Sequence, residues 1–214
     1  MSLSDVAYQR FKEHLFARRL PLGGTVSQAA LVALLEVPVT PLRDAMRVLQ
    51  SEGLIEVIPR SGVRILKPDM ELIRHTYQLR RMIEREAVAR FAEACPPERI
   101  TAWRAQHADL AREAETDADP RLLASRTAAI DDGFHAAIVA ALKNPIIDGV
   151  YRQTKDRIRL IRLDQAYVLS PVKVRDTMAE HGRVLDALAR HDRDGAVAAM
   201  DHHLTRSMHR AMGV

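Results

Sequence analysis

Residues 130–138 read IDDGFHAAI, two aspartates and a histidine set among residues spaced like one side of a buried helix. Advancing about 100° per residue, Ile130, Phe134, Ala137, Ile138 and Ala141 define an apolar face. Asp131 falls within the edge of that face and His135 a little beyond it, whereas Asp132 points well away and reads as solvated. Asp131 and His135 are four residues apart, hence neighbours on successive turns. In PVKVRDTMAEHGRVLDALAR, His181 sits in the middle of a stripe made by Met178, Val184, Leu185 and Leu188. Near the C-terminus, His203 lies on the border of the stripe Val197, Met200, Leu204, Met208 and Ala211, while its neighbour His202 faces the opposite way. The other histidines have weaker claims: His191 falls in a turn, and spacing supplies no partner for His14, His75, His107 or His209.

One carboxylate and three imidazoles carried by three helices suit a borderline divalent metal such as zinc, nickel or manganese. Burying Asp131 as an unpaired anion is costly, and a cation offsets that cost. Periodicity alone favours a set of hydrogen-bonded core histidines with Asp131 paired to an arginine, because no CxxC or HExxH signature fixes a metal here. A water-activating metal enzyme would also need a general base. No second buried carboxylate stands out by spacing, and Glu180 lies about 100° around the helix from His181.

These residues have to be positioned by helices, and the chain after Pro68 reads as helical throughout. The spacing predicts six helices, over 69–94, 97–115, 120–142, 145–168, 171–190 and 194–211. Their borders are marked by CPP, DADP, Asn144 with Pro145, Ser170 with Pro171, and HDRDG, where Asp194 is the expected N-cap. Six such helices imply an antiparallel bundle, which builds ligand sites from inward side chains on facing helices. The first third is different. A helix carrying Val6, Ala7, Phe11 and Leu15 stops at LPLGG, and Ser27 is placed to cap a short second helix, QAALVALLE. Thr40 followed by Pro41 reads as the start of a third helix, with the stripe Leu42, Ala45, Met46 and Leu49 ending at Gly53. The period then changes to two: Ile55 and Val57, then Val63 and Ile65, flank a turn at Arg60, Ser61 and Gly62, the pattern of a hairpin. Three helices and a hairpin are the order of a winged helix-turn-helix and equally of any small α+β domain; the expected fold is mainly α, with domains at 1–68 and 69–214.

Bulk properties agree without deciding. The 214 residues are 47% hydrophobic, enough for two small cores. No run approaches a membrane span and the first residues are charged throughout, so the expected location is the cytoplasm, away from membranes. The single cysteine, Cys95, precludes an internal disulfide. Net charge is +4, and residues 1–69 hold nine Lys and Arg against seven Asp and Glu, too mild a balance to argue for nucleic acid by itself.

The motifs taken together resemble the GntR family of bacterial transcription regulators, in its FadR-like branch whose effector-binding domain is called FCD. TPLRDAM, the EGL turn and the PRSG tip look like pieces of that family's winged helix. IDDGFH, KNP, AEH and AMDHHL look like the D-x-x-F-H, Asn, E-H and A-M-x-x-H-L motifs of FCD, in order. The six-helix second half is similar to the shorter, VanR-type variant.

The resemblance implies that Asp131, His135, His181 and His203 ligate a divalent metal, zinc first among the candidates, and that a small organic acid binds there through its carboxylate. It places Arg80 in the effector pocket, where the alternative is a surface salt bridge with Glu84, and Asn144 as a second pocket residue or a helix-end residue. It assigns Thr40, Arg43 and Arg47 to DNA contacts from the recognition helix, and Arg60 and Gly62 to contacts from the wing. Val39 stands where the family usually has a DNA-contacting arginine. The implied function is a homodimeric, metabolite-responsive repressor of a two-fold related operator and not an enzyme, with a regulator for which the metal itself is the signal as the other reading.

Overall fold

The computed structural model describes residues 1–116, 119–164 and 170–214, apart from the side chains of residues 121 and 164. Among the described residues are nine α-helices and a three-stranded sheet, in two compact units.

The first unit contains α1 (Leu3–Phe16), β1 (Thr25–Val26), α2 (Gln28–Leu35), α3 (Val39–Ser51), β2 (Ile55–Ile58) and β3 (Gly62–Ile65). Ser2 and Asp5 cap α1 reciprocally, side chain to backbone, and Ser27 accepts from the Ala30 amide to start α2. Ala7, Phe11 and Leu15 of α1 meet Leu42, Ala45 and Leu49 of α3 and the inward side of the hairpin, Ile55, Val63 and Ile65. The sheet runs β1-β3-β2, antiparallel throughout, with Val63 opposite Val57 on one side and Val26 on the other. β1 has no counterpart in the sequence reading, because two residues are too few to show an alternation. It explains Gly62, whose φ is 120° and whose added Cβ would lie 2.2 Å from the Val26 carbonyl oxygen.

The second unit is built on α4 (Met70–Glu93), α5 (Pro97–Glu113), α6 (Pro120–Val139), the first part of α7 (Pro145–Asp164), α8 (Pro171–Ala189) and α9 (Arg193–Met212). From Asp156 onward α7 groups with the first unit, where Leu160 joins the apolar core. The α4 and α9 helices pack along each other, as do α9 with α8 and α8 with α5. Trp103, Phe134, Ile138, Val184, Leu188, Met200 and Leu204 fill the space between them.

Boundaries depart from expectation in local, explicable ways. Pro38, in extended backbone, precedes α3, so Thr40 and Pro41 lie inside its first turn and Thr40 is not the cap. Proline is tolerated there because first-turn amides have no intrahelical acceptor. Asp192, not Asp194, caps α9: its carboxylate accepts from the Gly195 amide at 2.9 Å and fills the space a Cβ on Gly195 would need. The helix expected over 120–142 tightens to 3-10 geometry at Ala140–Leu142 and ends at Lys143 in the left-handed region. The last residues of the helix expected over 145–168 lie outside the described residues.

Gly62→Ala should destabilise the first unit by about 1–3 kcal/mol through strain and the clash with β1. Chemical denaturation of the two proteins measures it, and equal midpoints would contradict the observed approach of β1 to β3.

Candidate functional site

The face periodicity of three helices decides what meets at the centre of the second unit. Asp131 and His135 come from successive turns of α6, His181 from α8 and His203 from α9, and all four are buried. His203 Nε2 lies 3.2 Å from His135 Nε2 and 3.3 Å from His181 Nε2. Asp131 Oδ1 lies 3.7 Å from His135 Nε2 and 3.6 Å from His181 Nε2. A tetrahedron of ~2.1 Å metal–ligand bonds has edges of about 3.4 Å. These four of the six separations are close to that value and all four atoms lie within 4.8 Å of one another, so the cluster could hold a divalent metal.

The outward ring nitrogens decide the protonation of the inward ones. His135 Nδ1 donates to Glu84 Oε2 at 2.6 Å, and His203 Nδ1 donates to Glu180 Oε2 at 2.9 Å. Burial would push the Glu84 carboxyl up, but the Arg80 guanidinium and His135 outweigh it and hold the group well below the usual carboxylate range. Glu180 is likewise brought down to about 2, burial being overcome by its hydrogen bonds from Arg210 and His203. His181 Nδ1 faces His107 Nε2 at 2.9 Å, and His107 Nδ1 lies 2.6 Å from the Trp103 carbonyl oxygen. Burial drives His181 well below its ordinary pKa and His203 down to about 4, so both are neutral near pH 7. Each spends its proton outward, and the Nε2 atoms of His181 and His203 face each other as lone pairs. Their close approach is therefore not a hydrogen bond, and a cation between them is the group that would relieve it.

The packing brings Asp131, His135, His181 and His203 together and adds supports that spacing does not reveal. Glu84 and Glu180 are further buried carboxylates beside the histidines, although spacing singles out neither of them as buried. Neither is a free base: Glu84 accepts from Arg80, Tyr151 and His135, and Glu180 from both terminal nitrogens of Arg210 and from His203. His107, thought to lack a partner, is buried between Trp103 and His181. The Arg80–Glu84 pair exists at 2.6 Å but is fully buried instead of lying on the surface. Position i+4 on α4 was a usable signal for Glu84, whereas only tertiary packing places Glu180 and His107. Arg80 Nη1 and, one turn earlier, Thr76 Oγ1 are buried and have no hydrogen-bond partner among the described residues. Asn144 caps α7 through its side-chain oxygen, which accepts from the Ile146 and Ile147 amides at 3.0 and 3.3 Å.

On the first unit, Thr40, Arg43 and Arg47 are exposed on the side of α3 opposite Leu42, Ala45, Met46 and Leu49. Asp44 stands among them and pairs with Arg47 at 3.4 Å. Arg60 is exposed at the hairpin tip, in the left-handed region at φ 66°, while Gly62 is half-buried against β1. Val39 is 43% exposed beside the same α3 surface.

The pattern of the FCD domain matches residues 75–206, and that of the bacterial regulatory proteins of the gntR family matches residues 3–65. The chain is a GntR-family transcriptional regulator with an FCD domain. This regulator is 26% identical over 140 residues to the Nta operon transcriptional regulator of Aminobacter aminovorans, a match covering 65% of this chain and 64%, under two thirds, of that one. It is 25% identical over 201 residues to an HTH-type regulator in an unstable DNA locus of Streptomyces ambofaciens, covering 92% and 80% of the two chains. The fold is shared with E. coli McbR/YncC, at TM-score 0.80 and 19% identity over 100% of this chain and 98% of that one. A GntR regulator from Rhodococcus sp. RHA1 gives 0.79 and 20% over 100% and 99%. The matched family is one of bacterial regulatory proteins, so this chain is a regulator and not an enzyme, and its N-terminal helix-turn-helix implies DNA binding.

In the metal-free GntR protein, His181 and His203 bind protons less readily folded than unfolded. Unfolding therefore takes up protons as pH falls, and stability that is present above pH 6.5 is lost as pH drops through the folded value of about 4 for His203. Glu180 adds a second loss, beginning near pH 4.5 and continuing towards about 2. Thermal unfolding of chelator-treated protein between about pH 7 and about pH 4.5 should show a falling Tm; a flat profile would mean the two imidazoles are not held neutral.

Proposed function

We propose that this regulator is a cytoplasmic homodimer that represses transcription from a two-fold related operator and releases it when a small organic acid binds at a metal centre. In this reading residues 1–68 bind DNA, and residues 69–214 bind the effector and dimerise. Asp131, His135, His181 and His203 hold a divalent ion, zinc first and nickel or manganese after it, and leave coordination positions open for a carboxylate. The observation that carries the reading is the inward convergence of three imidazole nitrogens and one carboxylate oxygen, each imidazole backed by an outer hydrogen-bond partner.

Arg80 supports the effector part. Its Nε is spent on Glu84, but Nη1 is a buried donor awaiting an acceptor, and a carboxylate is the acceptor that matches a guanidinium. Thr76 Oγ1 offers a second donor on the same side of α4. Asn144, its oxygen committed to α7, has its amide nitrogen left for such a contact. Ile146 and Val150, exposed on successive turns of α7, give an apolar surface of the kind a second copy would cover.

For DNA, Arg43 and Arg47 reach base edges or phosphates from α3, Thr40 a phosphate, and Arg60 the neighbouring backbone or minor groove. Gly62 acts indirectly, by allowing the hairpin to close against β1. With Val39 in place of the usual arginine, base readout falls mainly to Arg43 and Arg47.

The effector can change DNA affinity only by binding one state of the protein more tightly than the other. The facing lone pairs of His181 and His203 favour a second reading as well, in which the ion itself supplies that difference. DNA affinity measured against zinc at fixed acid, and against a panel of acids at fixed zinc, separates the two.

His181→Ala should abolish stoichiometric metal and weaken the response to acids, whereas His202→Ala, at an exposed position, should leave both intact. Unchanged metal content in the first variant would mean the centre is elsewhere. In gel shifts on DNA upstream of its own gene, Arg43→Ala and Arg47→Ala should each cost about 1–3 kcal/mol of specific binding. Failure of the parent protein to shift any neighbouring promoter fragment, with or without acids, would overturn the repressor reading.

A further inference from the structure

The centre's three imidazoles do not have equivalent supports. His135 and His203 lean on carboxylates, Glu84 and Glu180, each also bound by an arginine. His181, buried on α8, leans instead on a fourth imidazole, His107 of α5, which is 4% exposed and packed against Phe134. The Trp103 carbonyl can only accept, so at 2.6 Å it fixes the His107 proton on Nδ1 and leaves Nε2 of the neutral ring as a lone pair. That lone pair stands 2.9 Å from His181 Nδ1, so the proton between the two rings belongs to His181.

We propose that His107 is a positioning residue for the metal centre: by accepting the Nδ1 proton of His181 it turns the Nε2 lone pair of His181 towards Asp131, His135 and His203. The proposal rests on the metal reading given above. A neutral partner has a further consequence. The Glu84–Arg80 and Glu180–Arg210 pairs cancel in charge, and Arg206, half exposed at 3.8 Å from Glu180, adds a further positive group, so a divalent ion with Asp131 leaves the loaded centre net positive. A carboxylate at position 107 would reduce that charge, whereas a neutral imidazole preserves it for an anionic ligand.

The test uses the full chain and zinc alone. In nitrogen-15 NMR of the metal-free protein, His181 should carry its proton on Nδ1, with scalar coupling across the hydrogen bond to His107 Nε2. His107→Phe should populate the Nε2–H form of His181 and weaken zinc, measured by chelator competition, by roughly 10- to 100-fold. His107→Gln, whose side-chain carbonyl can accept from His181, should recover most of that affinity. An Nε2–H form of His181 in the parent protein, or a His107→Phe variant with unchanged tautomer and zinc affinity, would overturn the assignment. The parent spectrum decides the matter even if the Phe variant does not fold. If the parent binds no zinc, the metal reading fails, and the tautomer still tests what His107 does.

Discussion

The second unit is organised by the need to satisfy polar groups in a place water does not reach. Asp131, Glu84, Glu180 and four histidines lie within the helical packing, each at most 5% exposed. An uncompensated charge or orphaned donor there costs several times the net gain from an ordinary hydrogen bond. The arrangement answers this in layers. Arginines neutralise the outer carboxylates, the carboxylates and His107 take the outer protons of the three central histidines, and the inner nitrogens are left as acceptors around one small space. Glu84 shows how tightly the layers are tied, for its two oxygens serve α4, α6 and α7 at once.

The buried polar groups divide by whether their hydrogen bonds are complete. Glu84, Glu180 and Tyr151 have their hydrogen bonds completed within the protein, as expected of groups that position others. Arg80 Nη1 and Thr76 Oγ1 do not, and they sit on one side of α4, the helix that also supplies Glu84. In the first unit the distinction is drawn by exposure. Apolar residues at every third and fourth place of α3 anchor it to α1 and the hairpin, and the arginines between them are left to solvent, where a polyanion can reach them.

Much of the fold was legible because it rests on local rules. The stripe on α3, the Ser27 and Ser170 caps and the prolines that open α5, α6, α7 and α8 each follow from neighbours within a turn. Local rules also explain the misses. Thr40 and Asp194 are sound capping residues by type, yet Pro38 and Asp192 occupy those places, because an extended proline and a glycine at the third helical position suit the backbone better. β1 becomes a strand only by lying beside β3.

For the site, the sequence determined which side of each helix would carry Asp131, His135, His181 and His203, since about 100° of rotation per residue fixes that without knowledge of any neighbour. It could not determine which side chains would back them. His107 and His181 are 74 residues apart, and Glu180 and His203 are 23 apart. Glu180 also points off the apolar stripe that marks His181. Those contacts depend on how α5, α8 and α9 pack, and packing depends on shape matched over whole helix faces, a property no single spacing encodes.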